Sequence, residues 1–261
     1  MHASLLDGKS LADIKQNTLM LDIAASDLEM PPHLVVIIVG NNAASSLYVA
    51  TKQKRCDAVG IRSTRIALSH DVDQATLLSE IDALNRANDV HGILVQLPLP
   101  QHINTQDVIE AIAPEKDVDG FHPYNLGCLA TGNAQLRPCT PFGIMQLLEH
   151  YDISIKGQHA VVIGCSRIVG LPMSLELLSK KATVTICHSN TKHLPEISQQ
   201  ADILISATGQ PHMLTDKYVR EGAIVIDVGI SRLDDGRIVG DIDFDSVSKK
   251  ASWITPVPGG V

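Results

Sequence analysis

The sequence predicts an α/β protein made of two α/β domains, the second of them Rossmann-like and doubly wound. Short apolar runs rich in β-branched residues alternate with helical patterns along nearly the whole chain. That order gives a parallel sheet covered by helices on both faces. The alternation breaks once, between Pro114 and Thr140, and then restarts, as expected of two sheets rather than one. A chain of 261 residues, 44% hydrophobic and 19% charged, is long enough for two ordinary domains.

Taken in order, Ser10 to about Ala25 carries Leu11, Ile14, Leu19 and Ile23 at mostly helical intervals, and Pro31-Pro32 stops that helix. Leu34 to Val39 follows as a buried strand. A helix bearing Tyr48 and Lys52 then runs to near Gly60. Arg62 to Leu68 reads as a strand, Gln74 to Asn85 as a helix and Gly92 to Leu97 as a third strand, closed by Pro98, which lacks the donor a central strand needs. In the turn-rich stretch that follows, Thr140 is placed to cap a helix beginning at Pro141. After Gly157 come the strand His159–Ile163, a glycine turn and a helix to about Ser179. The strands Thr183–Cys187, Ile203–Ser206 and Ala223–Asp227 complete the second sheet. The expected division is 1–120, 121–251 and a return segment, 252–261.

Composition excludes several classes. No apolar run approaches the roughly 20 residues of a membrane helix. The first residues lack the basic and apolar regions of a signal peptide, and five cysteines at irregular spacing suit free thiols in a reducing cytoplasm. The 11 histidines include no His-x-x-x-His pair, so no metal is expected. A net charge of −8 weighs against nucleic-acid binding.

Two places carry chemistry. Tyr48 and Lys52 stand four residues apart, so one helical face presents an aromatic ring and an amine, although an ordinary amphipathic helix has the same spacing. Gln96 lies just past a strand end, where open α/β sheets bind ligands. Asp117 and Asp119, considered alone, read as solvated linker acids. In the second half, strand, glycine turn and helix at Gly164-Cys165-Ser166-Arg167-Ile168-Val169-Gly170 form the context of a dinucleotide loop, with Ser166 in place of the second glycine and Gly170 one residue late. The strand end at His188-Ser189-Asn190-Thr191-Lys192 has no acid to hold a ribose 2′-hydroxyl. Its hydroxyl, imidazole and amine donors favour NADP over NAD.

Six motifs in order then resemble the bifunctional methylenetetrahydrofolate dehydrogenase/methenyltetrahydrofolate cyclohydrolase family. They are Tyr48-Val49-Ala50-Thr51-Lys52, Val95-Gln96-Leu97-Pro98-Leu99-Pro100, Lys116-Asp117-Val118-Asp119-Gly120-Phe121, Pro138-Cys139-Thr140-Pro141, the Gly164 to Pro172 loop, and Pro256-Val257-Pro258-Gly259-Gly260-Val261. The resemblance implies an N-terminal folate-binding catalytic domain, a C-terminal NAD(P) domain, a cleft between them and a homodimer joined by a strand or helix edge of the NAD(P) domain. It implies tetrahydrofolate derivatives as partners and no metal. Lys52 becomes the acid/base group, Gln96 its hydrogen-bond partner, Tyr48 a stacking platform and Asp119 the anchor of the pterin. Val49, Val95, Leu97, Pro258, Gly259 and Gly260 complete the substrate site. The implied cofactor residues are Gly164, Cys165, Ser166, Ile168, His188, Ser189, Thr208, Gly209 and Ile230.

Two departures are visible. Cys165 stands where some family members carry arginine, which leaves NAD possible as cofactor. The sequence ends at Val261, where the family continues into a glycine-proline-methionine-threonine segment and a final helix, so a catalytically impaired folate- or nucleotide-binding relative is one alternative. A two-domain NAD(P) oxidoreductase of shikimate-dehydrogenase type is the other.

Overall fold

A computed structural model describes residues 2–40 and 43–261, with the side chains of residues 43–48 outside the described set. In chain order the elements are β1 (Ser4–Leu5), α1 (Gly8–Ala24), β2 (His33–Val39), α2 (Ala43–Val59), β3 (Arg62–Leu68), α3 (Gln74–Arg86), β4 (Gly92–Val95), α4 (Thr105–Ala111), α5 (Pro123–Ala130) and α6 (Cys139–His150). There follow β5 (His159–Ile163), α7 (Gly170–Ser179), β6 (Thr183–Cys187), α8 (Leu194–Ser198), β7 (Ile203–Ser206), β8 (Ile224–Asp227), β9 (Ser231–Arg232), β10 (Ile238–Val239), α9 (Phe244–Val247) and β11 (Trp253–Ile254).

The chain packs as two units, one of residues 14–137 and one joining the residues up to Asp13 with 138–261. These compact units divide the chain elsewhere than at the expected 120 and 251. Residues 121–137 stay with the first unit because Asn125 on α5 donates to the Asp117 carboxylate at 3.0 Å and to the Pro114 carbonyl at 2.9 Å. The N-terminus joins the second unit because β1 pairs in parallel with β11, and the Tyr151 hydroxyl accepts the Asp7 N–H at 3.0 Å. The return segment is thus a strand of the second sheet, with β11 lying between β1 and β8.

In the first unit a three-stranded parallel sheet has the order β3-β2-β4. Successive residues of β2 point to opposite faces, as a pleat requires. Val35, Ile37 and Val39 pack with Leu77, Ile81 and Val108, whereas Val36 and Ile38 pack with Val49 and Leu94. The second unit holds a six-stranded parallel sheet, β1-β11-β8-β7-β5-β6. Val162, Ile205 and Ile226 meet Leu148, Met173 and Leu177 on one face. Val161, Leu204 and Val225 meet Leu214 and Val247 on the other. Burial on both faces explains why these strands read as unbroken apolar runs.

Two local expectations change. The last helix of the turn-rich stretch begins at Cys139, with Pro138 in the capping position and no side-chain cap, so Thr140 lies inside the helix. Proline is tolerated throughout a first turn because those N–H groups have no intrahelical partner, so Pro141 did not fix the start to the residue. The third strand ends at Val95 rather than Leu97.

Candidate functional site

In the first unit, the chain leaves β2 for β3 on one side, and β4 lies on the other. This is the topological switch point at which parallel sheets open a crevice past their carboxyl ends. Gln96 stands there, its N–H bonded to the Ile37 carbonyl at 2.9 Å. Its amide is oriented by its neighbours: Nε2 donates to the Leu97 carbonyl at 2.9 Å, which turns Oε1 toward Lys52, and Lys52 Nζ donates to it at 3.4 Å. A flipped amide would set two donors against each other. Tyr48 stands one helical turn before Lys52 on α2. Its side chain lies outside the described residues.

Asp119 completes this cluster. Burial pushes its carboxyl up to about 6; the nearby Lys52 ammonium opposes that rise and the Asp117 carboxylate adds to it. The loop carrying Asp119 is tied down on both sides. Lys116 Nζ donates to the carbonyls of Leu84, Asn85 and Ala87 at the C-terminal end of α3, at 3.0, 2.8 and 2.8 Å. Asp117, only 2% exposed, accepts from the His122 N–H at 2.8 Å and from Asn125. Asp117 is therefore no solvated linker acid. A buried carboxylate needs such donors, and here they fix the loop two residues before the functional acid. Sequence reasoning missed Lys116, Asp117 and Asn125 as supports. The Lys-Asp-Val-Asp-Gly motif held a signal for the first two, whereas Asn125 offered none.

Val49 and Val95 are core side chains, at 0% and 6% exposure. They belong to the apolar packing on the two faces of the first unit's sheet. Leu97 is half-buried at the strand end. Pro258, Gly259 and Gly260 belong to the second unit, where the Gly259 carbonyl accepts the Lys9 N–H at 3.1 Å.

The second unit has its own switch point, between β5 and β7, because β6 lies on the far side of β5. A cavity of about 310 Å³ opens there, lined by the predicted residues Gly164, Cys165, Ser166, His188, Ser189 and Thr208, with Thr191, Gln210 and Met213 among the others. The predicted Ile168, Gly209 and Ile230 are not on its wall. Ile168 and Ile230 are instead exposed, at 39% and 57%.

The loop geometry explains its glycines. Gly164 has φ of +121°, and a Cβ there would lie 2.2 Å from the Ala207 carbonyl oxygen. A Cβ on Gly170 would lie 2.0 Å from the Gly164 carbonyl oxygen, so this glycine lets α7 seat against the loop. Ser166 replaces a glycine usefully. Its Oγ accepts the N–H groups of Val169 and Gly170 at 3.2 and 3.4 Å, which occupies orphan donors at the start of α7. Among the described residues no three His, Cys, Asp or Glu side chains gather to hold a metal ion, and no helix is long and apolar enough to cross a membrane.

Fold and site together define a two-domain α/β protein with a lysine–carboxamide–carboxylate cluster at one sheet edge and a glycine-loop cavity of dinucleotide type at the other. The chain belongs to the tetrahydrofolate dehydrogenase/cyclohydrolase family: residues 6–119 match its catalytic domain and residues 138–261 its NAD(P)-binding domain. It is 52% identical to the bifunctional protein FolD of Legionella pneumophila (strain Paris), over all of this chain and 93% of that one. A crystal structure of the bifunctional FolD methylenetetrahydrofolate dehydrogenase/cyclohydrolase from Campylobacter jejuni superposes with a TM-score of 0.97 at 48% identity, covering 99% of this chain and 92% of that one. The Trypanosoma brucei enzyme, complexed with NADP cofactor and inhibitor, gives 0.94 at 37% identity, covering 100% and 92%.

Proposed function

We propose that the protein oxidises 5,10-methylenetetrahydrofolate to the 5,10-methenyl form with NADP and hydrolyses that product to 10-formyltetrahydrofolate. The observation that carries this is the Lys52–Gln96–Asp119 cluster at the switch point of the first unit, in a chain of this family. Asp119 in its ionised form accepts the paired N–H donors of a pterin edge, and Tyr48 supplies a face for the flat part of the substrate. Gln96 holds the Lys52 ammonium by its amide oxygen, so the amine is aimed before substrate arrives. In hydrolysis Lys52 acts as the neutral amine. Directly or through a water it orients, it takes a proton from the attacking water as the oxygen bonds to the methenyl carbon. The ammonium so formed returns a proton to N5 as the bond from that carbon to N5 breaks.

NADP, when bound, supplies the hydride acceptor. The second unit fits it: the wall has glycine backbone at Gly164, hydroxyls at Ser166, Ser189 and Thr208, an imidazole at His188 and no carboxylate. An acid is the usual partner of the NAD ribose diol, and its absence supports NADP. The shikimate-dehydrogenase alternative does not account for the match of both domains to the folate family. We also read the protein as a cytoplasmic homodimer. Its cysteines are free, the edge strand β6 leaves Ile186 40% exposed, and the helix α7 leaves Leu178 57% exposed.

The test is an assay of the purified protein with 5,10-methylenetetrahydrofolate and either NADP or NAD, reading the methenyl product after acid quench. Supplied methenyltetrahydrofolate is followed separately for hydrolysis. Turnover with preference for NADP is expected. A folded protein that binds folate and turns over with neither cofactor would make the impaired-binder alternative correct.

A further inference from the structure

Below the cofactor edge lie two carboxylates that neither site uses. Asp227 closes β8 at 4% exposure, and Asp241, just after β10, is 0% exposed. Asp227 is enclosed by backbone donors: Oδ1 accepts the N–H groups of Gly229 and Asp241 at 2.9 and 3.0 Å, and Oδ2 accepts Ile242 N–H at 2.9 Å. Asp241 Oδ2 reaches the neighbouring strand end, accepting Ser206 Oγ at 2.9 Å and the Thr208 N–H at 2.7 Å. Its own main chain is pinned, since its carbonyl accepts the Leu214 N–H at 3.0 Å.

The packing around the pair is as close as backbone permits. A Cβ on Gly229 would lie 2.1 Å from Asp241 Oδ1, and one on Gly240 would lie 2.0 Å from Asp227 Oδ2. Asp241 Oδ1 is buried with no hydrogen-bond partner. Burial, with Asp241 alongside, pushes the Asp227 carboxyl up to about 6 even though three N–H groups oppose the rise. A second buried carboxylate with an idle oxygen is costly, and an apolar side chain of similar size would fill the space more cheaply. What Asp241 supplies that such a side chain lacks is an acceptor for Thr208, whose residue forms part of the cavity wall.

We propose that Asp241 is a positioning residue for the cofactor half of the reaction: it fixes the chain after β7, through the Thr208 N–H and the Ser206 hydroxyl, in the shape that builds the cavity wall. This rests on the reading of that cavity as the NADP site. It predicts a split, because hydrolysis of supplied methenyltetrahydrofolate needs no NADP and uses residues of the other unit.

The experiment compares Asp241→Ala, Asp241→Leu and Asp241→Asn in the full chain. Each is measured for NADP Kd by titration, for KM of NADP and kcat in oxidation, and for the rate of methenyltetrahydrofolate hydrolysis. The alanine and leucine forms are expected to weaken NADP about tenfold or more, the usual scale for losing a hydrogen bond to a charged acceptor, with hydrolysis within about twofold of wild type. Asparagine keeps an acceptor oxygen for Thr208 and should restore NADP affinity to within about threefold. Wild-type NADP affinity in the leucine form would overturn the proposal. So would a parallel loss of binding and hydrolysis, or failure of both alanine and leucine forms to fold, since either makes Asp241 a general structural residue. A wild-type protein that hydrolyses methenyltetrahydrofolate but shows no saturable NADP binding would overturn the cavity reading itself, before any variant is compared.

Discussion

In the unit of residues 14–137 the site opens beside β2 and β4, and in the other unit the cavity opens beside β5 and β7. Both are switch points of parallel sheets, yet they are furnished differently. The first uses polar side chains, two of them ionisable: a lysine from α2 and an aspartate from a loop tied to α3 and α5, with a carboxamide past β4 between the strand end and the lysine. The second uses mainly backbone and short side chains, and its shape depends on atoms that Gly164 and Gly170 lack. The difference follows from the tasks proposed for them. Proton chemistry requires groups that titrate, whereas holding a polyphosphate that brings its own reactivity requires close main-chain approach.

Changes in one unit should therefore leave the other's half-reaction standing. The largest effect is expected at Lys52. Lys52→Met removes the proton-transfer group, and hydrolysis followed by loss of methenyl absorbance should fall by ~10²–10⁴-fold. Next is Gly170→Ala, where the added Cβ would lie 2.0 Å from the Gly164 carbonyl oxygen and 2.9 Å from Cys165 N. Moving the loop should cost about 1–3 kcal/mol, or roughly ten- to a hundredfold in NADP Kd, measured by titration, with hydrolysis retained.

A smaller, graded effect is expected with pH. Asp119 with its carboxyl at about 6 must ionise to accept the pterin donors, so KM for folate should improve by about tenfold per unit as pH rises toward 6 and then level off. Asp119→Asn should show a flat profile. Stability moves in the opposite sense. A carboxyl raised from 3.8 to about 6 binds its proton more tightly in the folded state, so its contribution to stability is present at low pH and is lost as pH rises through about 6. Asp119→Asn should then raise Tm at pH 7.5 by several degrees, roughly the effect of 1–3 kcal/mol, and by about a third as much at pH 4.5, which lies inside the window from 3.8 to about 6 over which the contribution is lost. Calorimetry at the two pH values checks it.

The contrast between the units also explains what could be read from sequence. β2, β5 and β7 were legible to within a residue because strands buried on both faces are continuous apolar runs, and the edge strands β3 and β6, only partly buried, were legible from their β-branched residues. The glycine loop was legible because backbone approach leaves a residue-type signature. The unit boundaries were not, because β1 has only two residues and is defined by its partner β11, some 250 residues away, and α5 lies in a stretch rich in turn formers. The folate cluster was legible only in part. Lys52 and Gln96 are 44 residues apart and meet through topology, so the resemblance to a family named them and spacing alone did not. Nothing in the local sequence marked Asp241, whose role depends on Ser206 and Thr208 more than 30 residues before it.

The division of labour between the two units is tested most directly by titrating Lys52→Met with NADP, alongside its hydrolysis rate, using the fluorescence of Trp253, the single tryptophan. The expected result is an NADP Kd equal to that of wild type in a protein that no longer hydrolyses methenyltetrahydrofolate. Hydrolysis at the wild-type rate, or a loss of NADP affinity in step with the loss of hydrolysis, would contradict it.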